Sequence, residues 1–344
     1  SGRYQLSESL IFNTLESICS SQDKNRFSWE SNLRQNYGMI LMSTKGFGSL
    51  AYRQNIEKIN SISIHNLAED EKVSVYFSLM IQHAVLSNLE TALNKIIEFS
   101  STEDVPTIYR PLFHFSSALI HQSLADYDAS HREYQCGIES AENMNLVNKR
   151  EYEAISRRHI PYDLTSALYS HFSLSKAEEF LNNKSKKRNF DLAFQLMLTS
   201  TRYARTNSDP HTKAFNLFHK AQLFMYVGDY SRMKRTLLLA NKISNKHEIV
   251  TWAAITHFLL GWNECINENN LSGLKKMIQG YKQWTLAGAI SHRGWLNALL
   301  AEGYFQYGDK KRASKHVALA QYFLREFKEN RYKFDIVRVA RKLQ

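Results

Sequence analysis

The sequence predicts an all-α protein in which antiparallel helix pairs stack side by side into a curved superhelix. Three observations carry that reading. The 344-residue chain holds only 4 Pro and 13 Gly, too few breakers for turn-rich β architecture, while 43% hydrophobic residues supply a large core. From residue 70 onward apolar residues recur at i, i+3, i+4 and i+7, without strand-like alternation. Short polar breaks interrupt these runs every 12–20 residues, and small residues fall into register around them.

The elements follow in chain order. Residues 1–69 carry helical runs at Ser7–Cys19 and Trp29–Met42, the polar patch Ser20–Arg26, and a break at Thr44–Ser49. They read as an N-terminal helical cap or the stub of an upstream domain, with Ser1-Gly2 as a cloning scar. Residues 70–325 read as the repeat array. Its turns are Ser87-Asn88-Leu89, Ala125-Asp126-Tyr127, Gly228-Asp229-Tyr230, Asn269-Asn270-Leu271 and Gly308-Asp309-Lys310. Ala118, Ala221, Gly261 and Ala301 precede the later four turns, and Gly137, Ala240, Gly280 and Ala320 follow them. The last three units repeat every 40 residues. Two helices approach closely only where a small side chain faces the partner, so these positions mark helix contacts. The stretch 145–205 fits no single repeat, and Lys184–Asn189 within it is expected to be an exposed loop. Residues 326–344 read as a basic capping helix with Phe327, Phe334, Val337 and Ala340 on one face.

The pattern of small, aromatic and Gly residues in each first helix, with small and bulky residues alternating in the second, resembles the tetratricopeptide repeat. The resemblance covers 211–325 and 106–142, while 70–100 keeps only Ala92, Ile96 and Phe99 of the second-helix pattern. It implies a right-handed α-solenoid. This chain departs from the family in its 40-residue period and in lacking the usual proline at the repeat end. A narrower resemblance rests on Gly261-Trp262, Gly280-Tyr281-Lys282-Gln283-Trp284, Leu299-Leu300-Ala301-Glu302, Gly308-Asp309 and Glu329-Asn330-Arg331. It is similar to the helical arrays of bacterial STAND-type, MalT-like regulators and adenylate-cyclase-linked ATPases. That implies a cytoplasmic sensor or scaffold section of a bacterial signalling protein.

No motif calls for catalysis. Gly46-Phe47-Gly48 lacks the third glycine of a dinucleotide fingerprint, no GxxxxGK[ST] or GxSxG run occurs, and two SxxK matches lack their companion motifs. His114 and His121 share a helical face without clustered partners, so no metal site or cofactor is expected. Cys19, Cys136 and Cys265 are odd in number and far apart, which fits a reducing compartment. No run approaches the roughly 18 apolar residues of a membrane span. Glu178-Glu179 reads as an ordinary pair of helix-surface charges.

In a tetratricopeptide array, first-helix residues at fixed offsets from the small residue line the concave wall. Those offsets select Leu112, Phe115, Leu119 and Gln122; Phe215, Phe218, Gln222 and Met225; Ile255, Phe258, Trp262 and Cys265; and Trp295, Ala298, Glu302 and Phe305. Tyr226 and Trp262 are the expected anchors. An exposed wall this apolar would bind a peptide or partner segment, or the chain's own N-terminal helices would cover it. Equally, a tightly wound array would bury these aromatics as core. Net charge is +11, yet Lys310–Gln344 alone holds eleven basic and three acidic residues. Arg331, Arg338, Arg341 and Lys342 project either as a solvated face or toward an anionic partner. The reading is a non-catalytic sensor and interaction section binding protein or peptide. A nucleic-acid-binding regulator and a peptide-pheromone receptor are the alternatives, and a homodimer is left open.

Overall fold

The computed structural model describes residues 2–62, 67–100, 106–183, 190–206 and 209–343. These residues form seventeen α-helices and no strand. In order they are α1 (Gly2–Cys19), α2 (Arg26–Thr44), α3 (Leu50–Ser61), α4 (Glu69–Val85), α5 (Leu89–Ser100) and α6 (Arg110–Leu124). There follow α7 (Tyr127–Glu142), α8 (Leu146–His159), α9 (Leu164–Asn182), α10 (Asp191–Thr206), α11 (Pro210–Val227) and α12 (Tyr230–Lys246). The last are α13 (Val250–Asn267), α14 (Leu271–Leu286), α15 (Arg293–Gln306), α16 (Lys310–Phe327) and α17 (Lys333–Lys342), the latter preceded by a 3-10 turn at Asn330–Tyr332.

Helices α4–α5, α6–α7, α9–α10, α11–α12, α13–α14 and α15–α16 pair as hairpins, the helical-repeat solenoid that the periodicity predicts. The turns explain themselves locally. Ser87, Ala125, Gly228, Asn269 and Gly308 all sit at positive φ, and the next residue's N–H reaches back to a carbonyl of the finished helix. Asp126, Asp229 and Asp309 then cap the following helix by accepting from the N–H groups of Ala129, Arg232 and Arg312. One dipeptide thus ends a helix in the left-handed cap and starts its partner.

Close approach is sharpest in α13–α14. A Cβ on Gly261 would lie 2.5 Å from the Gly273 carbonyl oxygen, and one on Gly273 would lie 2.4 Å from that of Gly261. Backbone meets backbone there, so no side chain can be inserted. The region that fits no repeat resolves into a single helix, α8, lying against α2 and α4, followed by the α9–α10 hairpin. That hairpin closes on serines, with Ser166 and Ser170 hydroxyls 3.0 and 2.7 Å from that of Ser200. Lys184–Asn189 lies outside the described residues.

Helices α2 and α3 bury Leu41, Tyr52, Ile56 and Ile59 against Val75 and Leu79 of α4, apart from the main core. The main core runs continuously from Val73 to Val339. No described helix is long and apolar enough to cross a membrane. All three cysteines are free, Cys265 buried and the others exposed.

Candidate functional site: a concave groove closed by its own C-terminus

The wall predicted from the offsets is present, but it is not exposed. Phe115, Phe215, Phe218, Gln222, Met225, Phe258, Trp262, Trp295 and Glu302 are all buried, and Leu119, Tyr226 and Phe305 are half-buried. The expectation of an open aromatic groove is therefore corrected: the superhelix winds tightly enough that its inner face becomes core. Tyr162 stacks on Phe215 with ring centres 4.1 Å apart, and Trp252 packs on Phe215 and Phe218 at 5.5 and 5.4 Å. The loop between α2 and α3 supplies part of the cover. Phe47 meets Trp252 edge-on at 6.2 Å, and the Gly48 N–H donates to the Ala287 carbonyl at 3.1 Å.

The larger cover is the C-terminal segment, not the N-terminal helices. Tyr332 stacks on Trp295 at 5.1 Å, and the Trp295 indole N–H donates to Asp335 Oδ2 at 3.0 Å. Arg331 donates through Nη2 to Glu178 Oε1 at 2.5 Å, and both side chains are nearly inaccessible, 4% and 1% exposed. Glu178 is thus a buried acid, correcting its reading as a surface charge. Its carboxylate also accepts from Gln122 Nε2 at 2.8 Å and from the Tyr226 hydroxyl at 3.2 Å, and Gln222 Nε2 donates to that hydroxyl at 2.7 Å. Tyr134 completes the network by donating to Gln122 Oε1 at 2.7 Å. Burial alone would lower the Arg331 guanidinium, but Glu178, together with Tyr332 and Tyr226, more than offsets it and keeps it charged.

One turn further on, Glu302 of α15 holds α17. Arg338 Nη1 donates to Glu302 Oε1 at 2.8 Å, Lys342 Nζ at 3.1 Å, and the Trp262 indole N–H reaches Oε2 at 3.1 Å. Burial pushes the Glu302 carboxyl up, and the two cations outweigh it and hold it below the usual range. Arg331, Arg338 and Lys342 are therefore each paired with a buried acid of the chain, while Arg341 and Lys342 are the two of the four predicted basic residues that stand exposed on the surface.

The C-terminal segment divides the groove in two. Asn330, Lys333, Phe334, Val337, Arg338, Arg341 and Lys342 face an outer cleft of about 900 Å³ whose far side is Leu124, Tyr127, Leu181 and Asn182. Glu329 and Arg331 face an inner cavity of about 150 Å³ lined by Phe215, Phe218, Trp252 and three histidines, His171, His219 and His292. Burial lowers His219 to about 3 and drives His171 and His292 well below the ordinary value, so all three are neutral at pH 7. Burial also raises Glu329 to about 7. Among the described residues no three His, Cys, Asp or Glu are placed to hold a metal ion. His114 instead pairs with Glu133 at 2.8 Å and His121 with Asp126 at 3.1 Å.

Sequence reasoning missed Glu178, Leu181, Asn182 and the α17 residues Lys333, Phe334 and Val337 as parts of one site. A signal existed in α9, whose apolar and small residues run all round the helix, the mark of an element enclosed on every side.

No family model matches the chain, and no curated protein sequence does. Among solved structures the chain is similar to a Rap protein complexed with Competence and Sporulation Factor. The TM-score is 0.58 at 11% identity, covering 100% of this chain and 99% of that one. The apo form of RapI also aligns, over 98% of each chain, at 13% identity and a TM-score of 0.46. The first likeness is one of fold. This chain is a tetratricopeptide-like helical solenoid.

Proposed function

We propose that this chain is a non-catalytic, peptide-responsive regulatory section of a bacterial signalling protein, and that its peptide docks in the outer cleft. The observation that carries the reading is the cleft itself. Its apolar floor of Leu124, Leu181, Phe334 and Val337 lies beside Lys333, Arg338, Arg341 and Lys342, and its volume falls within the range of about 300–1,000 Å³ typical of ligand pockets. Such a surface suits a short extended peptide with alternating apolar and acidic side chains. Apolar burial would supply affinity, and the cationic rim would supply orientation and on-rate. Asn182 and Asn330 also line the cleft, their amide nitrogens donating to the Arg331 and Leu124 carbonyls and so tying α9, α6 and the C-terminal segment together beneath it.

Two further supports are independent. A Rap protein of similar fold was solved in complex with Competence and Sporulation Factor, a precedent for a bound factor on this architecture. The sequence resemblance to MalT-like and adenylate-cyclase-linked arrays supports a place within a signalling protein. A nucleic-acid reading has less support, because three of its four candidate cations are already committed to Glu178 and Glu302.

The mechanism follows from what the cleft borders. A carboxylate arriving on the rim competes with Glu302 for Arg338 and Lys342, which shifts α17 relative to α15 and changes the surface offered to a downstream partner. Fluorescence anisotropy with a labelled Glu/Leu/Phe hexapeptide and its Lys-for-Glu counterpart tests the reading. The acidic peptide should bind at least tenfold more tightly, and Lys333→Glu with Arg341→Glu should erase the difference. Equal binding of both peptides would refute the cleft as the docking site.

A further inference from the structure

The inner cavity has its own chemistry, separate from that of the outer cleft. Its volume of about 150 Å³ matches the size of cavity that accepts a single benzene-sized ring. Aromatic faces and edges surround it, chiefly Phe215, Phe218, Trp252 and Trp284. A wholly apolar ring would nonetheless leave part of the wall unmatched. His171 Nδ1, His292 Nδ1 and Arg331 Nε are buried atoms that make no hydrogen bond, although Arg331 is only 5% and His171 only 8% exposed. Buried polar groups are ordinarily partnered, so three unpartnered ones around a single cavity form a built polar end.

We propose that this cavity is a binding site for one aromatic ring carrying a single neutral hydroxyl or carbonyl group, with phenol as the parent ligand. The ring packs between Phe218 and the two tryptophans, and its oxygen accepts from Arg331 Nε–H while a hydroxyl proton is shared with a histidine Nδ1. The ligand is uncharged for an electrostatic reason. Arg331 is already balanced by Glu178 and burial keeps the histidines neutral, so the wall offers no unspent positive charge to an anion, and Glu329, which titrates near 7, would repel one. The way in lies between the end of α4, α6 and the α14–α15 loop, where Val85, Leu119, Ser123 and Ser291 are only half-buried. The same ring could arrive as a free phenolic compound or as the tyrosine side chain of a peptide.

The test uses the full chain and 4-fluorophenol, followed by fluorine NMR line broadening and by quenching of tryptophan fluorescence. Saturable binding is expected, displaced by phenol and not by benzoate. Ala289→Leu, which adds bulk to a buried wall position, and Ser123→Trp, at the half-buried mouth, should each weaken it at least tenfold. The mouth variant keeps the test valid if the wall variant does not fold. Displacement by N-acetyltyrosinamide would assign the ring to a peptide, and its failure to displace would assign it to a free small molecule. Non-saturable binding, equal displacement by benzoate, or unchanged affinity in the folded variants would overturn the proposal.

Discussion

Two buried carboxylates hold the C-terminal segment in the groove, and they do so in opposite ways. Glu178 on α9 meets Arg331 where neither side chain reaches water. Glu302 on α15 is equally buried, but Arg338 and Lys342 approach it with 36% and 44% of their side chains exposed. The difference teaches where the groove is fixed and where it can move. A fully desolvated pair resists loss of either partner, because the survivor remains an uncompensated charge in a poor solvent. A pair with one partner at the surface can exchange that partner for water or for an incoming anion. The 3-10 turn at Asn330–Tyr332 is thus the anchor of the segment, and α17 is its adjustable end.

This contrast ranks the expected effects of perturbation. Glu178→Gln and Arg331→Met should each destabilise the fold by about 3–5 kcal/mol, read from urea midpoints. A loss below about 1 kcal/mol for either would remove the anchor from the account.

Acid should act next, and on the Glu178 side. His219 sits beside Phe215 in the inner cavity, and burial lowers its folded-state value from 6.5 to about 3. The unfolded chain therefore binds the extra proton first. Its contribution is complete above pH 6.5 and falls by about 1.4 kcal/mol per pH unit as pH drops from there toward 3. Between pH 7 and 5, His219 alone should cost about 2 kcal/mol, and His219→Gln should flatten that slope. Glu329 runs the other way. Its raised value of about 7 means that stability present in acid is lost as pH rises through neutrality, so Glu329→Gln should gain relative stability at pH 8. An unchanged pH profile in both variants would contradict the buried placement of this cluster.

Smaller changes are expected at the adjustable end. Glu302→Gln keeps an acceptor for the Trp262 indole and releases two cations that can reach solvent, so it should cost about 1–2 kcal/mol. Arg341→Glu should change stability by less than about 0.5 kcal/mol while weakening an acidic peptide, which separates folding from docking. A large stability loss there would mean that Arg341 is structural.

The reach of the sequence follows the same division between local and distant causes. Turns such as Gly228-Asp229 and Gly308-Asp309 are legible because a left-handed cap and an aspartate N-cap are both local devices. Gly261 is legible because a hairpin brings α13 and α14 together over a short loop. The α9–α10 hairpin is obscured because serine, not alanine or glycine, mediates its contact, and serine also marks loops. The offsets select inner-face residues correctly in direction, yet exposure depends on how tightly the superhelix closes, which no single repeat encodes. Arg331 and Glu178 lie 153 residues apart. An amphipathic reading of the C-terminal segment places Arg331 among solvated cations, because nothing nearby in sequence announces a carboxylate waiting in the core.

The central claim is that the C-terminal segment is bound within the array through Arg331 and Glu178. A double-mutant cycle on Glu178→Gln and Arg331→Met measures it most directly. The double variant should be no less stable than either single variant, with a coupling energy of about 3–5 kcal/mol, the loss expected for a single variant. Additive losses, with coupling near zero, would show that the two side chains do not meet and that the groove is closed by something else.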